Sequence, residues 1–507
     1  MANAESIRKS FRSTTEFLND LNNDLSPPFQ LDLQDPDGLS GTVHSPDVTH
    51  FLFLMHGHRG QSKDLAYMHT VMERIAGTKK KRMSRVASPS RSKNNKISGT
   101  DSDPVKHDML VHNTVSNEHK TEDGIQNGGD RLVEEMRQVI EGEMKKRHPN
   151  SKDVFDITIS ILGNSLGGLY GRYAIAKLVE RHCIKDGNGK GGDSCWMLDG
   201  RYRLHLNVFC TTATPHLGVS KHTFLPIPRT GEIAVATIMK DTGKDLFRMN
   251  DLLHKMATCP TYLRPLANFR KRIAYANAFN TDFPVPTATA AFLSENSTYP
   301  HYFEDDSLIV EPERTPKSQS RKRSPARGNS PERAKKKLFV ASLYTRTLED
   351  NQDERSDSMQ TDYDGKKHKD EFHHMSECLD QLGWKKVFID IRSELPTVEI
   401  PKGFIKKRKE LSKETEDESA SSSSRCIHSL KRQRTTLSSR DLASAVAQNN
   451  DNRFSWPLGH NMIVAFSRTR MSTLMNRGGR PVVDAVAKEL VEDIFAWEDG
   501  GKKSTTQ

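Results

Sequence analysis

The segment Gly163-Asn164-Ser165-Leu166-Gly167-Gly168 sits directly behind the apolar run Phe155-Asp156-Ile157-Thr158-Ile159-Ser160-Ile161-Leu162. It stands ahead of Leu169 to Val179, where apolar residues recur at helical spacing. A strand that feeds a helix through so short a turn must bend steeply, and glycines two before and two after Ser165 permit this without a side-chain clash. The pattern predicts strand, nucleophile elbow and helix, with the Ser165 hydroxyl lifted clear of the sheet edge. Gly168 and Gly171 would let that helix lie close to its strand. Taken alone, the motif also admits a plain glycine-rich turn.

Upstream, Phe51-Leu52-Phe53-Leu54-Met55 reads as a buried strand running into His56-Gly57-His58-Arg59-Gly60. If Ser165 attacks an acyl carbonyl, negative charge develops on oxygen, and preorganised backbone N–H groups stabilise it. The expected donors are Leu166, the residue after the nucleophile, and His58 in the loop after the earlier strand. A simple glycine turn is the competing reading of that loop.

A base and an acid complete the constellation. His460 follows Trp456-Pro457-Leu458-Gly459 in a loop far downstream of the serine, which suits the order nucleophile, acid, histidine. Asp282, in the loop Asn280 to Pro286 after the strand-like Lys271 to Ala278, is the expected acid that fixes the imidazole tautomer. Asp305 and Asp306 are rivals for that role, and so is Asp380. For each of them, a turn aspartate that caps its own backbone is the plain alternative.

These motifs resemble the lipase-like serine esterases of the α/β-hydrolase superfamily, whose fungal members include monoacylglycerol lipases and phospholipases. The likeness extends through Thr121-Glu122-Asp123-Gly124-Ile125, Gly129 to Glu135, Ala213-Thr214-Pro215-His216-Leu217-Gly218, Tyr275-Ala276-Asn277-Ala278, Leu382 to Val387 and Gly459-His460-Asn461. It implies Ser165 as nucleophile, Asp282 as acid, His460 as base and a lipid ester as substrate. Asn461 departs from the acidic residue that often follows the histidine in such enzymes.

Charge is unevenly distributed. The chain carries +10 overall, yet Lys79 to Lys96 contributes +8 and Arg314 to Lys337 contributes +9, so the remainder is net negative. Basicity thus belongs to insertions, and no specific nucleic-acid partner is expected. Rich in Ser, Pro, Lys and Arg, these tracts bury too little apolar surface to offset ordering, and disordered insertions are expected near 77–106, 312–370 and 405–452. Lys79-Lys80-Lys81-Arg82 and Arg321-Lys322-Arg323 are candidates for nuclear import or for peripheral contact with an anionic membrane or lipid droplet; solvated disorder without a partner is the alternative. Ser88-Pro89, Ser324-Pro325 and Ser330-Pro331 are candidate phosphorylation sites that would erode this charge.

Six cysteines form no CxxC pair, so no zinc site is expected, and acyl transfer through a serine triad needs neither a metal nor an organic cofactor. The N-terminus lacks the apolar core of a signal peptide, and no run reaches the roughly eighteen apolar residues of a spanning helix. A reducing cytoplasmic location is the resulting expectation.

Alternating patterns give strands near 51–55, 108–112, 155–162, 204–210, 271–278 and 386–391, and helices near 65–76, 124–146, 166–180 and 482–496. The expected fold is α/β: one hydrolase domain over 31–497 with a mainly parallel sheet between helices, an extension over 1–30 and a tail over 498–507. Ile233 to Met239 reads either as part of a mobile cap or as an ordinary buried helix. The expected reaction is ester hydrolysis through an acyl-enzyme; a thioesterase or protein deacylase with the same triad, and a non-catalytic binding module, are the alternatives.

Overall fold

Near-continuous apolar runs become the central strands of one sheet. The computed structural model describes residues 44–86, 107–149, 151, 153–185, 196–220, 228–304, 339–347, 371–399, 427, 430–431, 434–447 and 453–497. In β1 (His44–Met55), Phe51, Phe53 and Met55 face one core cluster while Leu52 and Leu54 face another. A strand covered on both faces has no solvent side for polar residues, hence the unbroken run.

The chain continues through α1 (Ala66–Val86), β2 (His107–Asn113), α2 (Ile125–Arg147), β3 (Val154–Asn164), α3 (Leu166–His182), β4 (Cys183–Lys185), β5 (Trp196–Leu198) and β6 (Tyr202–Thr212). Short helices α4 (Arg229–Ile238), α5 (Lys240–Leu246), α6 (Leu252–Thr258) and α7 (Pro260–Ala267) precede β7 (Lys271–Asn277). Then come α8 (Thr287–Ala290), β8 (Pro300–Phe303), β9 (Phe339–Tyr344), α9 (Glu371–Asp380), β10 (Lys385–Ile389) and β11 (Thr397–Glu399). The last elements are β12 (Thr436–Ser438), α10 (Ser439–Ala447), β13 (Arg453–Ser455), α11 (Gly459–Met462), α12 (Arg470–Met475) and α13 (Arg480–Phe495).

The main sheet runs β12-β8-β9-β10-β7-β6-β3-β1-β2, with β5 beside β6 and β4 beside β5. The pairs joining β2, β1, β3, β6, β7 and β10 are all parallel, and β9, β8 and β12 extend the sheet antiparallel. Helices α2 and α3 cover one face and α1 and α13 the other. This is the expected α/β-hydrolase architecture, and every strand and helix expected from periodicity is present.

Two expectations about the insertions are corrected. Helix α1 runs on to Val86, through Lys79 to Arg82, instead of giving way near residue 77. Lys and Arg are good helix formers, and Lys80 pairs with Asp108 at 2.9 Å. Within the expected insertions 312–370 and 405–452, β9 forms an interior strand of the sheet, and β12 and α10 bury Leu437, Leu442 and Val446 against it. Low average hydropathy concealed these short apolar elements among charged neighbours. The extension 1–30, the tail 498–507 and the three Ser-Pro sites lie outside the described residues, as does Arg321-Lys322-Arg323.

Helix α4 is not the ordinary buried helix of one reading, since it buries only Glu232 and Ala236. The segment after it is pinned down: Thr242 Oγ1 donates to the Thr121 carbonyl at 2.7 Å, and the Ile125 N–H donates to Asp245 at 2.7 Å. No described helix is long and apolar enough to cross a membrane.

Candidate active site

In the parallel part of the sheet β1 stands between β2 and β3. The helix after β1 packs on one face and the helix after β3 on the other, so the loops leaving their carboxyl ends diverge. Crevices of α/β sheets open at such a switch point. Both glycine motifs emerge there.

Ser165 joins β3 to α3 with φ 54° and ψ −126°, a backbone conformation that residues bearing a Cβ seldom adopt. Its N–H donates to the Thr212 carbonyl at 2.9 Å, and Gly168 closes the turn with a 3.1 Å bond to the Ser165 carbonyl. The surrounding glycines are sterically required. A Cβ on Gly163 would lie 2.4 Å from Gly168 Cα, and one on Gly167 would lie 2.2 Å from the Met55 carbonyl oxygen. Leu166 is the first residue of α3, so its N–H lies ahead of the helical ladder.

The loop after β1 touches the serine directly. A Cβ on Gly57 would sit 2.7 Å from Ser165 Cβ and 3.2 Å from Ser165 Oγ. The Gly60 N–H donates to the Gly57 carbonyl at 3.0 Å, and the Arg59 N–H donates to Thr121 Oγ1 at 2.7 Å, which fixes the backbone on either side of His58. The His58 ring lies 3.4 Å from the Thr121 carbonyl, and burial lowers its pKa, favouring neutral imidazole. The His58 ring therefore brings no positive charge to this loop.

Asp282 and His460 meet, although 178 positions separate them. His460 Nδ1 is 3.1 Å from both carboxylate oxygens of Asp282. Backbone bonds hold the two loops together: Asp282 bridges Leu458, the Gly459 N–H donates to the Thr281 carbonyl at 2.7 Å, and Phe283 donates to Pro457 at 3.0 Å. Asp282 is buried, and it accepts further from the Val285 N–H at 3.0 Å and from Asn277 Nδ2 at 2.9 Å. With Nδ1 facing the carboxylate, Nε2 is the nitrogen left to accept a proton.

Of the rival acids, Asp380 is committed elsewhere: it is buried at 2.5 Å from Lys386 and 3.7 Å from His301. Burial raises its pKa while the Lys386 charge opposes that rise. Asp305 and Asp306 lie outside the described residues.

Two supporting residues escaped the sequence reading. Asn277 stands in the strand-like Tyr275-Ala276-Asn277-Ala278, where a polar residue among apolar ones was the available signal. Arg172, buried on the elbow helix, donates to the His216 carbonyl at 3.2 Å and to the Met256 carbonyl at 2.8 Å. Its signal was a charge in the middle of an apolar helix. Among the described residues no cluster of His, Cys, Asp or Glu could hold a metal ion, and Cys183, Cys210, Cys259 and Cys378 form no disulfide.

Residues 45–295 match the family described as "Putative serine esterase (DUF676)". No curated protein matches the chain. Among solved structures, a "putative cell surface hydrolase" of Lactobacillus plantarum is similar at 11% identity, over 49% of this chain and 76% of its own, with a TM-score of 0.24. The lipase BlEst2 of Bacillus licheniformis is similar at 13% identity over 48% of this chain and 69% of its own, with a TM-score of 0.22. The phospholipase PlaB of Legionella pneumophila, in complex with thio-NAD, is similar at 10% identity over 45% and 38%, with a TM-score of 0.22.

Proposed function

Since this chain belongs to a serine esterase family, through residues 45–295, we propose that it hydrolyses carboxylic esters, lipid esters among them, with Ser165 as nucleophile, His460 as base and Asp282 as acid. The observation that carries this reading is the convergence of three features at one end of the sheet. Ser165 is strained at the tip of an elbow, a glycine loop presses against it, and an Asp–His pair is stitched together by backbone.

In this mechanism His460 Nε2 takes the Ser165 proton as Oγ bonds to the carbonyl carbon. The Leu166 and His58 N–H groups receive the charge that develops on oxygen. His460 returns the proton to the departing alcohol, and the acyl group remains on Ser165. A water, deprotonated by the same nitrogen, then releases the carboxylic acid and restores the serine. Asp282 holds the tautomer throughout and offsets the imidazolium charge, while Asn277 and Val285 keep its carboxylate oriented.

Labelling of the purified chain with a fluorophosphonate probe, beside Ser165→Ala, tests this reading. Labelling and p-nitrophenyl acetate turnover should both vanish in the variant. A folded wild type that neither labels nor turns over the ester would exclude an activated Ser165.

A further inference from the structure

Among the described residues, most of the exposed large apolar side chains lie on segments tied to the loop after β1 or adjoining His460. Helix α12 buries none of its residues, and Met471, Leu474 and Met475, spaced to share one helix face, are 66%, 66% and 64% exposed. This helix is tied to the mouth of the site. Ser467 Oγ donates to the Lys63 carbonyl at 3.2 Å, and the Arg468 guanidinium donates to the Asp64 carboxylate and, at 2.8 Å, to the carbonyl of Arg59, two residues beyond Gly57. Beside His460, Phe283, Trp456 and Leu458 are each about half exposed. Helix α4 exposes Ile233 and Ile238, on the segment that α5 pins to Thr121. Among the described residues only Val115, Ile184 and Tyr344 are exposed large apolar side chains outside these segments.

Exposing a Leu or Met in place of burying it forgoes its hydrophobic stabilisation, and a gathering of such residues marks an interaction surface. The charge beside it indicates what that surface meets. Lys63, Arg470 and Arg477 are exposed and form no ion pair among the described residues. Of the acids on this side, Asp64 is engaged by Arg468, Glu122 by Arg59 and Lys240, and Glu118 accepts from the Ser62 N–H at 2.7 Å, while Glu394 lies against Gly478. Three exposed cations against that one further carboxylate leave the rim of the apolar helix face net positive, which matches a layer of anionic headgroups over acyl chains.

We propose that this face docks the protein onto an anionic lipid bilayer, with Met471, Leu474 and Met475 entering the acyl boundary and Lys63, Arg470 and Arg477 meeting headgroup phosphates. The proposal deepens the esterase reading and rests on it for the position of the mouth. It differs from attachment through the basic tracts, because every residue in it belongs to the folded body.

The test is co-sedimentation of the full chain with phosphatidylcholine vesicles, with and without phosphatidylserine, alongside p-nitrophenyl acetate turnover in solution. Wild type should bind the serine-containing vesicles. Met471→Ser/Leu474→Ser/Met475→Ser should bind them at least ~10-fold more weakly with turnover of the soluble ester unchanged. Arg470→Glu/Arg477→Glu should lose the preference for phosphatidylserine. Wild type that fails to bind, or a triple variant that binds as wild type does, overturns the proposal; the latter result would assign the affinity to the basic tracts. A dimer in solution that the triple variant abolishes also overturns it, by showing a second copy on the face. Failure of the esterase reading is read separately, as lost Ser165 labelling and turnover with α12-dependent vesicle binding intact.

Discussion

Gly57→Ala isolates the contact on which the site geometry depends. Gly57 is not among the residues at positive φ, so alanine meets no backbone penalty, and any effect comes from the added methyl group. That methyl would lie 2.7 Å from Ser165 Cβ, and 3.2 Å from both Ser165 Oγ and the Asn164 carbonyl oxygen. Carbon atoms pack at about 3.5–4.0 Å, so the loop and the elbow must separate by roughly 1 Å. Ser165 already occupies a strained backbone conformation with its N–H fixed to Thr212, which leaves the loop that carries His58 as the part that yields. A displacement of that size between nucleophile and oxyanion donors costs on the order of 10²-fold in rate, while overpacking lowers stability by about 1–3 kcal/mol. Turnover of p-nitrophenyl acetate should therefore fall about a hundredfold in a protein that still melts cooperatively. Gly142→Ala, where an added Cβ meets nothing within 4 Å, is the control and should match or exceed wild-type stability. Wild-type kcat/KM in Gly57→Ala would refute the claimed contact between the loop and the nucleophile.

Further outcomes follow from other parts of the molecule. Asp282→Asn, which frees the wrong tautomer of His460, should lower kcat by roughly 10⁴, and Asn277→Ala should lower it less; equal kcat in all three proteins would remove Asp282 from the mechanism. Burial holds the His50 pKa down at about 3, so the folded state resists a proton that the unfolded chain binds below about 6.5. Stability from this group is complete above the unfolded value and lost as pH falls, by roughly 2 kcal/mol between pH 6.5 and 4.5; urea titrations should show this slope flattened in His50→Asn. Lys386→Met strands the buried Asp380 and should cost about 3–5 kcal/mol, whereas Lys386→Met/Asp380→Leu should recover most of it; melting temperatures that fail to separate the two would deny the pairing its role.

The parallel half of the sheet was legible because strands buried on both faces leave unbroken apolar runs, and because the glycine motifs mark where the chain must turn at close quarters. The antiparallel half was not. β8, β9 and β12 are three to six residues long and stand beside charged stretches, so their burial is set by partners distant in sequence. The persistence of α1 through a lysine tract was likewise hidden, since its pairing with Asp108 exists only once the fold forms. In the site, Ser165 and the loop after β1 could be read locally, but the contact of Asp282 with His460 depends on long-range closure, and the support from Asn277 became apparent only when that strand was seen beside the acid loop.

The pairing of β11 with β13 sets Glu399 opposite Arg453, just ahead of the histidine. Between these strands the chain returns to the main sheet through β12 and α10, and the Phe279 N–H donates to the Val446 carbonyl at 2.7 Å just ahead of the acid loop. One span of chain thus fastens both partners of the pair, its clasp leading into His460 and its helix resting against the approach to Asp282. A loop that doubles in length costs only about 0.6 kcal/mol, so this span can change in length between those fastenings, and not within them, without moving the base against the acid.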